Sequence, residues 1–220
     1  MEKPNQFQVS WEWNGKYHVA QTPAKKIIKF SRQELINKGA QAIHMKVKDL
    51  GTGYSFFCTM VYAFNDWNER KALWSDLGAY SRSLKGPWVI CGDFNTVLVP
   101  FERLGGNSTF EEMDDFQRCV AFCGVTDCSA IGSYYTWTNK QDSYSRVFSR
   151  LDRMLVNSSW LQDNGSVYAH FYTEGTFDYS PCVVQTHGDI EKLRRSFKYH
   201  NIWSKAAYFK ACVVQAWSKD

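Results

Sequence analysis

The sequence predicts an α+β sandwich in which helices cover a core of β-sheet. One observation is the apolar run Trp88–Cys91, which is short and bounded by turn residues, as expected of a buried central strand. A second is the segment Val147–Val156, whose apolar residues alternate so that both faces of a strand are apolar. The third is a pair of amphipathic helices, since apolar residues recur at spacings of three and four over Asp66–Leu84 and Ser108–Gly124.

The segment before the first predicted helix contains a hairpin and strands. Asn14-Gly15 lies between two aromatic runs and predicts a hairpin over Val9–Val19. Ile27–Lys38 is ambiguous, and a short helix from Ser31 is one interpretation. Strands are predicted over Ala42–Val47 and Ser55–Tyr62.

The two helices carry end signals, and strands follow them. Asp66 with Glu69 three residues later predicts a capped start for the first helix, and Gly124 predicts the end of the second. Beyond Gly124 the sequence predicts only strands and loops. The strands are Tyr134–Thr138, Val147–Val156, Val167–Tyr172 and Cys182–Thr186.

Composition excludes several classes of protein. The 220 residues are 44% hydrophobic and 22% charged, which is ordinary for one globular domain and excludes collagen, coiled coil and wholesale disorder. The seven cysteines are odd in number and favour buried reduced thiols over disulfides or zinc, as in an intracellular (nuclear or cytoplasmic) protein. The longest uncharged stretch, Gly51–Asn65, is too short and polar to span a membrane.

Charge is distributed unevenly along the chain. The net charge is +4, and residues 1–188 are neutral, with 19 basic and 19 acidic residues. Residues 189–220 hold seven basic residues against three acidic ones. This tail is either a solvated basic linker or a weak binding site for nucleic acid.

Polar residues follow the predicted central strand at the point where it ends. Asp93 and Asn95 lie on the same side of the emerging chain, because side chains alternate along a strand. An Asp and an Asn in this place could orient an attacking water and donate a hydrogen bond to developing negative charge. An ordinary turn is the alternative interpretation, since Gly, Asp and Asn are common turn residues.

Two further acids lie at strand ends. Asp152 lies on an otherwise apolar strand, where a carboxylate is costly unless it is paired or bound to metal. The flanking Arg150 and Arg153 make an ion pair one interpretation. Asp178 precedes the strand at Cys182, and here too a turn is the alternative. Three acids at strand ends of one sheet are typical of a site for a hard cation.

The order of these segments resembles the endonuclease/exonuclease/phosphatase superfamily, the DNase I-like group. The resemblance covers residues 41–188 and is closest to endonuclease domains of plant LINE-type non-LTR retrotransposon polyproteins. Four motifs in order carry the resemblance to the superfamily: Val89–Asn95, Tyr134–Thr138, Arg150–Arg153 and Asp178–Pro181. Segments that resemble the plant subgroup are Gln41–His44, Met60–Asn65, Leu73–Leu77, Gly105–Asn107 and Met113–Phe116.

The resemblance implies a four-layer α/β-sandwich and a role for each motif residue. Tyr62 matches a tyrosine that contacts the scissile phosphate, and Asp93 the residue that orients or deprotonates the attacking water. Asn95 matches the residue that stabilises charge on the phosphate. Asp178 matches a carboxylate of the Mg²⁺ site, and Asp152 a buried acid that orients a catalytic histidine.

The sequence departs from the family pattern in two ways. Position 179, where that histidine is expected, is Tyr179, which can donate a hydrogen bond to substrate but brings no cation near neutral pH. The family's opening strands, which supply an Asn and a metal-binding Glu, are expected before Met1, so we expect an N-terminally truncated domain. Glu34 follows a polar segment and is not assigned as that ligand. Trp137 matches a tryptophan near the substrate groove, with a core role as the alternative.

The sequence therefore predicts an impaired, truncated endonuclease domain of retrotransposon origin, whose ancestral activity is Mg²⁺-dependent nicking of DNA. Residues 1–40 are expected to form a divergent segment, residues 41–188 the domain, and residues 189–220 a tail toward a reverse transcriptase. Two alternatives stay open. One is a non-catalytic remnant that binds nucleic acid, and the other is a phosphoesterase of the same superfamily, which the neutral charge of the main body disfavours.

Overall fold

The computed structural model describes residues 31–50, 53–106, 109–142, 145–164, 168–172, 182–185 and 209–218. These residues form strands and helices in the following order: β1 Ser31–Lys38, β2 Ala42–Asp49, β3 Ser55–Tyr62, α1 Trp67–Ser83, β4 Trp88–Asp93, β5 Arg103–Leu104, α2 Phe110–Cys123, β6 Val125–Asp127, β7 Ser129–Gly132, β8 Trp137–Thr138, β9 Phe148–Ser149, β10 Asp152–Asn157, α3 Ser158–Asn164, β11 Tyr168–Phe171, β12 Cys182–Gln185 and α4 Phe209–Trp217. None of the described helices is long and apolar enough to cross a membrane.

The largest sheet has six strands in the order β1-β2-β3-β4-β10-β6. Strands β3 and β4 are parallel and are joined through α1, whereas the other neighbours in this sheet are antiparallel. A parallel pair needs such a crossover because its second strand must start again at the same end of the sheet. Two smaller sheets have the orders β12-β11-β7 and β5-β9-β8.

Apolar side chains cover both faces of the large sheet. On one face Ile90 of β4 and Leu155 of β10 form a cluster with residues of α1 and α2. On the other face Met154 and Val156 of β10 form a cluster with Phe171 of β11. Helices, the large sheet and a smaller sheet therefore lie in successive layers, which confirms the predicted sandwich and the apolar character of both faces of β10.

The helix ends follow the sequence signals. The Asp66 side chain accepts hydrogen bonds from the backbone N–H groups of Asn68 and Glu69, at 2.8 and 3.1 Å, and so caps α1. Gly124 ends α2 with a left-handed φ of +61°. Both predicted ends are confirmed, because each residue satisfies backbone groups that the helix alone leaves without a partner.

Some local predictions are wrong. The segment from Ser31 is a strand rather than a short helix, and it forms the described edge of the large sheet. Residues after Gly124 include the helices α3 and α4, where only strands and loops were predicted. The predicted strand Val147–Val156 is divided into β9 and β10. The predicted hairpin at Val9–Val19 lies outside the described residues, and the domain boundaries remain predictions.

Candidate active site at the ends of three strands

Three of the predicted site residues lie together at the ends of three adjacent strands in the interior of the large sheet. Tyr62 is the last residue of β3, and Asp93 is the last residue of the parallel strand β4. The two are register partners, and Asp152, the first residue of antiparallel β10, is the partner of Asp93 on its other side. The carboxyl ends of parallel strands are a common place for ligand sites, because the chain leaves the sheet there.

Gly92 allows the close approach of β3 and β4 beside Asp93. Its φ is +133°, and a Cβ built on it would lie 2.0 Å from the Val61 carbonyl oxygen. Only glycine has both the backbone freedom and the space for this position. The Gly-Asp sequence is therefore part of the strand end and not merely a turn.

Asn95 is held against both neighbouring segments. Its backbone N–H donates to Asp93 Oδ1 at 2.8 Å, and its side-chain Nδ2 donates to the Ala63 carbonyl oxygen at 2.8 Å. The Ala63 N–H in turn donates to the Asp93 carbonyl oxygen at 2.9 Å. Residues after β3 and after β4 are thus joined by side-chain and backbone bonds, with the Asn95 amide between them.

Asp152 combines burial with an adjacent carboxylate. Burial and the charge of Asp93 raise the pKa of Asp152 far above the ordinary value of 3.8, and a hydrogen bond with the Thr136 side chain lowers it in part. The Asp152 backbone N–H also donates to Thr136 Oγ1, at 2.9 Å. Asp152 Oδ2 is buried and has no hydrogen-bond partner among the described residues.

The arginines that flank Asp152 contact other acids. Arg153 binds Glu102 and, at 2.8 Å, Asp127. Arg150 lies 2.8 Å from Asp127 and 3.7 Å from Glu102. The ion pair with Asp152 that the sequence allowed is therefore absent among the described residues, and these four side chains form a separate network of charges.

Tyr62 keeps its proton at these strand ends. Burial, and next the charge of Asp93, raise the pKa of the phenol above its ordinary value of 10.0. A neutral phenol retains its O–H donor at every physiological pH. Tyr62 can therefore donate a hydrogen bond to an anionic ligand beside Asp93.

The remaining predicted residues are Trp137, Asp178 and Tyr179. Trp137 is half-buried on β8 and packs against Val97, Met113 and Leu151, in line with the core role that the sequence left open. Asp178 and Tyr179 lie outside the described residues, so their predicted roles stay predictions.

Sequence reasoning missed two residues that hold the site. Thr136 is fully buried and its Oγ1 also accepts from the Leu151 N–H, so it fixes the start of β10. Arg70 is buried on α1 and donates to carbonyl oxygens of the loops after β3 and β4. Thr136 lies within the Tyr134–Thr138 motif, but nothing in that motif indicates that its hydroxyl group binds the start of β10. A single arginine in a helix has no distinctive pattern, so the sequence offered no signal for Arg70.

A sequence model of the Endonuclease/Exonuclease/phosphatase family matches residues 24–171. The match covers more than half of the chain and includes Tyr62, Asp93, Asn95 and Asp152. The chain belongs to the endonuclease/exonuclease/phosphatase family. No curated protein matches the sequence.

The chain is similar to several solved structures. The endonuclease domain of TRAS1, a telomere-specific non-LTR retrotransposon, is 12% identical, with a TM-score of 0.53, and the match covers 71% of this chain and 70% of that one. A mannosyl-6-phosphatase of Bacteroides thetaiotaomicron VPI-5482 is 18% identical over 67% of this chain and 57% of that one, with a TM-score of 0.44. D. rerio TDP2, complexed with a single-strand DNA product, is 16% identical over 72% and 67%, with a TM-score of 0.42. At 12% identity the likeness to the TRAS1 domain shows the fold alone.

Members of this family generally use divalent metal ions. Mg²⁺ prefers carboxylate oxygens, and Asp93 and Asp152 bring two carboxyl groups to these strand ends. Within the described ranges, however, no group of three His, Cys, Asp or Glu side chains could hold a metal ion. The described residues therefore do not complete a magnesium site, and Asp178 remains the predicted ligand.

Proposed function

We propose that this chain is a diverged endonuclease domain of retrotransposon origin that nicks DNA weakly in the presence of Mg²⁺. The observation that carries the proposal is the placement of Tyr62, Asp93 and Asp152 on three adjacent strand ends, with Asn95 hydrogen-bonded beside them. This arrangement brings a carboxylate, an amide and a phenol to one place, as hydrolysis of a phosphodiester requires.

Each side chain has a proposed part in that hydrolysis. Asp93 orients the attacking water and accepts its proton as the water oxygen bonds to phosphorus and the leaving oxygen departs. One hydrogen of the Asn95 amide is used by Ala63, and the second has no acceptor among the described residues and can be donated to the charge that develops on the phosphate. Tyr62 donates a hydrogen bond to a phosphate oxygen.

The same site also supports the expectation of low activity. Tyr179 stands where the family resemblance places a histidine, so no imidazolium is supplied beside the phosphate. Among the described residues no cation pairs with Asp152, the acid that would orient it. Loss of one group that transfers protons typically lowers a rate by about 10²- to 10⁴-fold.

Nicking of supercoiled plasmid DNA tests the proposal. We expect slow formation of open circles with Mg²⁺, complete inhibition by EDTA, and loss of activity in Asp93→Asn. Asp142→Asn is the matched control, because it removes the same charge from an exposed loop residue and should leave the rate unchanged.

Other outcomes would contradict the proposal. Nicking that survives Asp93→Asn does not come from this site. A salt-sensitive gel shift of DNA without any nicking would instead favour a binding remnant, because phosphate contacts release counterions and need no metal. Release of phosphate from inositol phosphates by the unmodified chain, but not by Asp93→Asn, would indicate a phosphoesterase.

A further inference from the structure

Arg70 is a buried cation that the proposed chemistry does not use directly. Its side chain is 2% exposed, and a buried charge is costly unless it is paired and hydrogen-bonded. Its Nη1 donates to the carbonyl oxygens of Phe64, Asn65 and Asn95 at 3.1, 3.2 and 2.7 Å. Its Nη2 binds Glu112 Oε2 at 2.6 Å. The guanidinium therefore has four oxygen partners.

These partners come from segments that are far apart in sequence. Phe64 and Asn65 belong to the β3 loop, which we define as residues 63–66, and Asn95 belongs to the β4 loop, residues 94–99. The β3 loop follows Tyr62 directly, and the β4 loop follows Asp93. A single side chain of α1 thus joins the two loops that leave the proposed active site.

Asn95 needs support from its neighbours. Its φ of +50° lies in the left-handed region, which is less favourable for every residue except glycine, although Asn tolerates it better than most. The Asn95 N–H, side-chain amide and carbonyl oxygen are bound by Asp93, Ala63 and Arg70 respectively. Arg70 supplies the one bond of these three that anchors Asn95 to a helix.

Glu112 in turn holds Arg70. It lies in the first turn of α2, where a carboxylate is favoured by the helix dipole, and its Oε1 accepts from Thr109 Oγ1 at 3.2 Å. A planar guanidinium with five N–H donors can bind a carboxylate and carbonyl groups at once, and an ammonium group cannot reproduce that geometry.

We infer that Arg70, held by Glu112, is a positioning residue that fixes Asn95 and the β3 loop in the geometry needed for phosphodiester hydrolysis. The inference about catalysis rests on the proposed function. The inference that Arg70 fixes the positions of the two loops is independent of the proposed function, and it can be tested on a chain that has no activity.

Hydrogen–deuterium exchange of the full chain tests the holding of the loops. In Arg70→Met we expect at least about tenfold faster exchange of the amides of residues 63–65 and 94–96, with β2 unchanged. Glu112→Gln should give a smaller increase in the same segments, and it serves as the second variant if Arg70→Met does not fold. Arg118→Met is the control, because it breaks an exposed ion pair of α2 and should change neither loop.

Single-turnover nicking tests the consequence for catalysis. A displacement of about 1 Å at a reacting centre can cost about 10²-fold in rate, so we expect Arg70→Met to lower the rate constant by about that factor. The DNA concentration at half-maximal rate should change less than about threefold, since Arg70 is buried and bonded to loop carbonyls. Relative to Arg70→Met, Arg70→Lys should restore only a small part of the rate, because the ammonium group keeps the charge but cannot bind Glu112 and the loop carbonyls at once.

Hydrogen–deuterium exchange and single-turnover nicking distinguish failure of the positioning role from failure of the proposed function. Unchanged exchange in both loops, or a uniform increase over the whole chain, would overturn the positioning role. Faster exchange in the loops with an unchanged nicking rate would overturn its link to catalysis. No Mg²⁺-dependent nicking by the unmodified chain would refute the proposed function, while the exchange pattern would still decide whether Arg70 holds the loops.

Discussion

Two adjacent residues of β10, one basic and one acidic, have opposite surroundings. Arg153 is fully buried, and its guanidinium contacts the carboxylates of Glu102 and Asp127. Asp152 lies beside Asp93 and Thr136, and no cation pairs with it among the described residues. Among the described residues the fold thus pairs Arg153 with two carboxylates but gives Asp152 no cation that would stabilise its ionised form. Groups with a strongly shifted pKa in a polar cluster are typical of functional sites.

The Arg153 network is expected to give the largest effect on stability. Arg153→Met would leave buried Glu102 and half-buried Asp127 with only Arg150 as a cation among the described residues, so we expect a loss of about 3 kcal/mol in the free energy of unfolding. Urea denaturation measures this loss. Arg118→Met, which breaks the exposed pair with Asp114, should cost no more than about 1 kcal/mol. Equal losses in Arg153→Met and Arg118→Met would mean that the Arg153 network stabilises the fold no more than an exposed ion pair does.

Asp152→Asn should change stability in the opposite direction, by raising the free energy of unfolding. Because the folded-state pKa of Asp152 is raised, ionisation of this carboxyl weakens the folded state as the pH rises from about 4 through that raised pKa. The Asn variant avoids this cost, and we expect it to be more stable than the unmodified chain by about 1 to 3 kcal/mol at pH 8.

The difference in the free energy of unfolding between Asp152→Asn and the unmodified chain should depend on pH, and this dependence tests the cause more specifically. The gain should shrink as the pH falls and approach zero below about pH 3, where Asp152 is protonated in both the folded and the unfolded chain. Asp142→Asn, on an exposed loop, should show no such trend. Destabilisation by Asp152→Asn at pH 8 would indicate that the ionised carboxylate stabilises the fold.

The elements predicted from sequence are those with a buried periodic face. In helices α1 and α2 apolar residues recur at spacings of three and four residues, and β4 is buried over its whole length. Their hydrophobic patterns are therefore clear in the sequence. Strand β1 has no such pattern because residues 33–38 are exposed, and β1 depends on pairing with β2. Helix α3 is seven residues long and mostly polar, too short for a period to be visible.

The site was partly predictable for a related reason. Asp93, Asn95 and Asp152 were found because polar residues at the ends of apolar strands are unusual, and the structure brings these three together. The partners of the neighbouring arginines were not predictable, since Glu102 and Asp127 come from other segments. Arg70 was missed because its burial depends on carbonyl groups of two distant loops.

A carboxyl titration by ¹³C NMR tests the raised pKa of Asp152 most directly. Labelling of aspartate, with Asp152→Asn to assign the signal, would follow this carboxyl across the pH range. The structure predicts that Asp152 titrates well above the ordinary value of 3.8, and that Asp93→Asn lowers its pKa by removing the adjacent charge. Titration of Asp152 near 4 in both proteins would contradict the account, because the carboxyl would then be either solvated or paired with a cation.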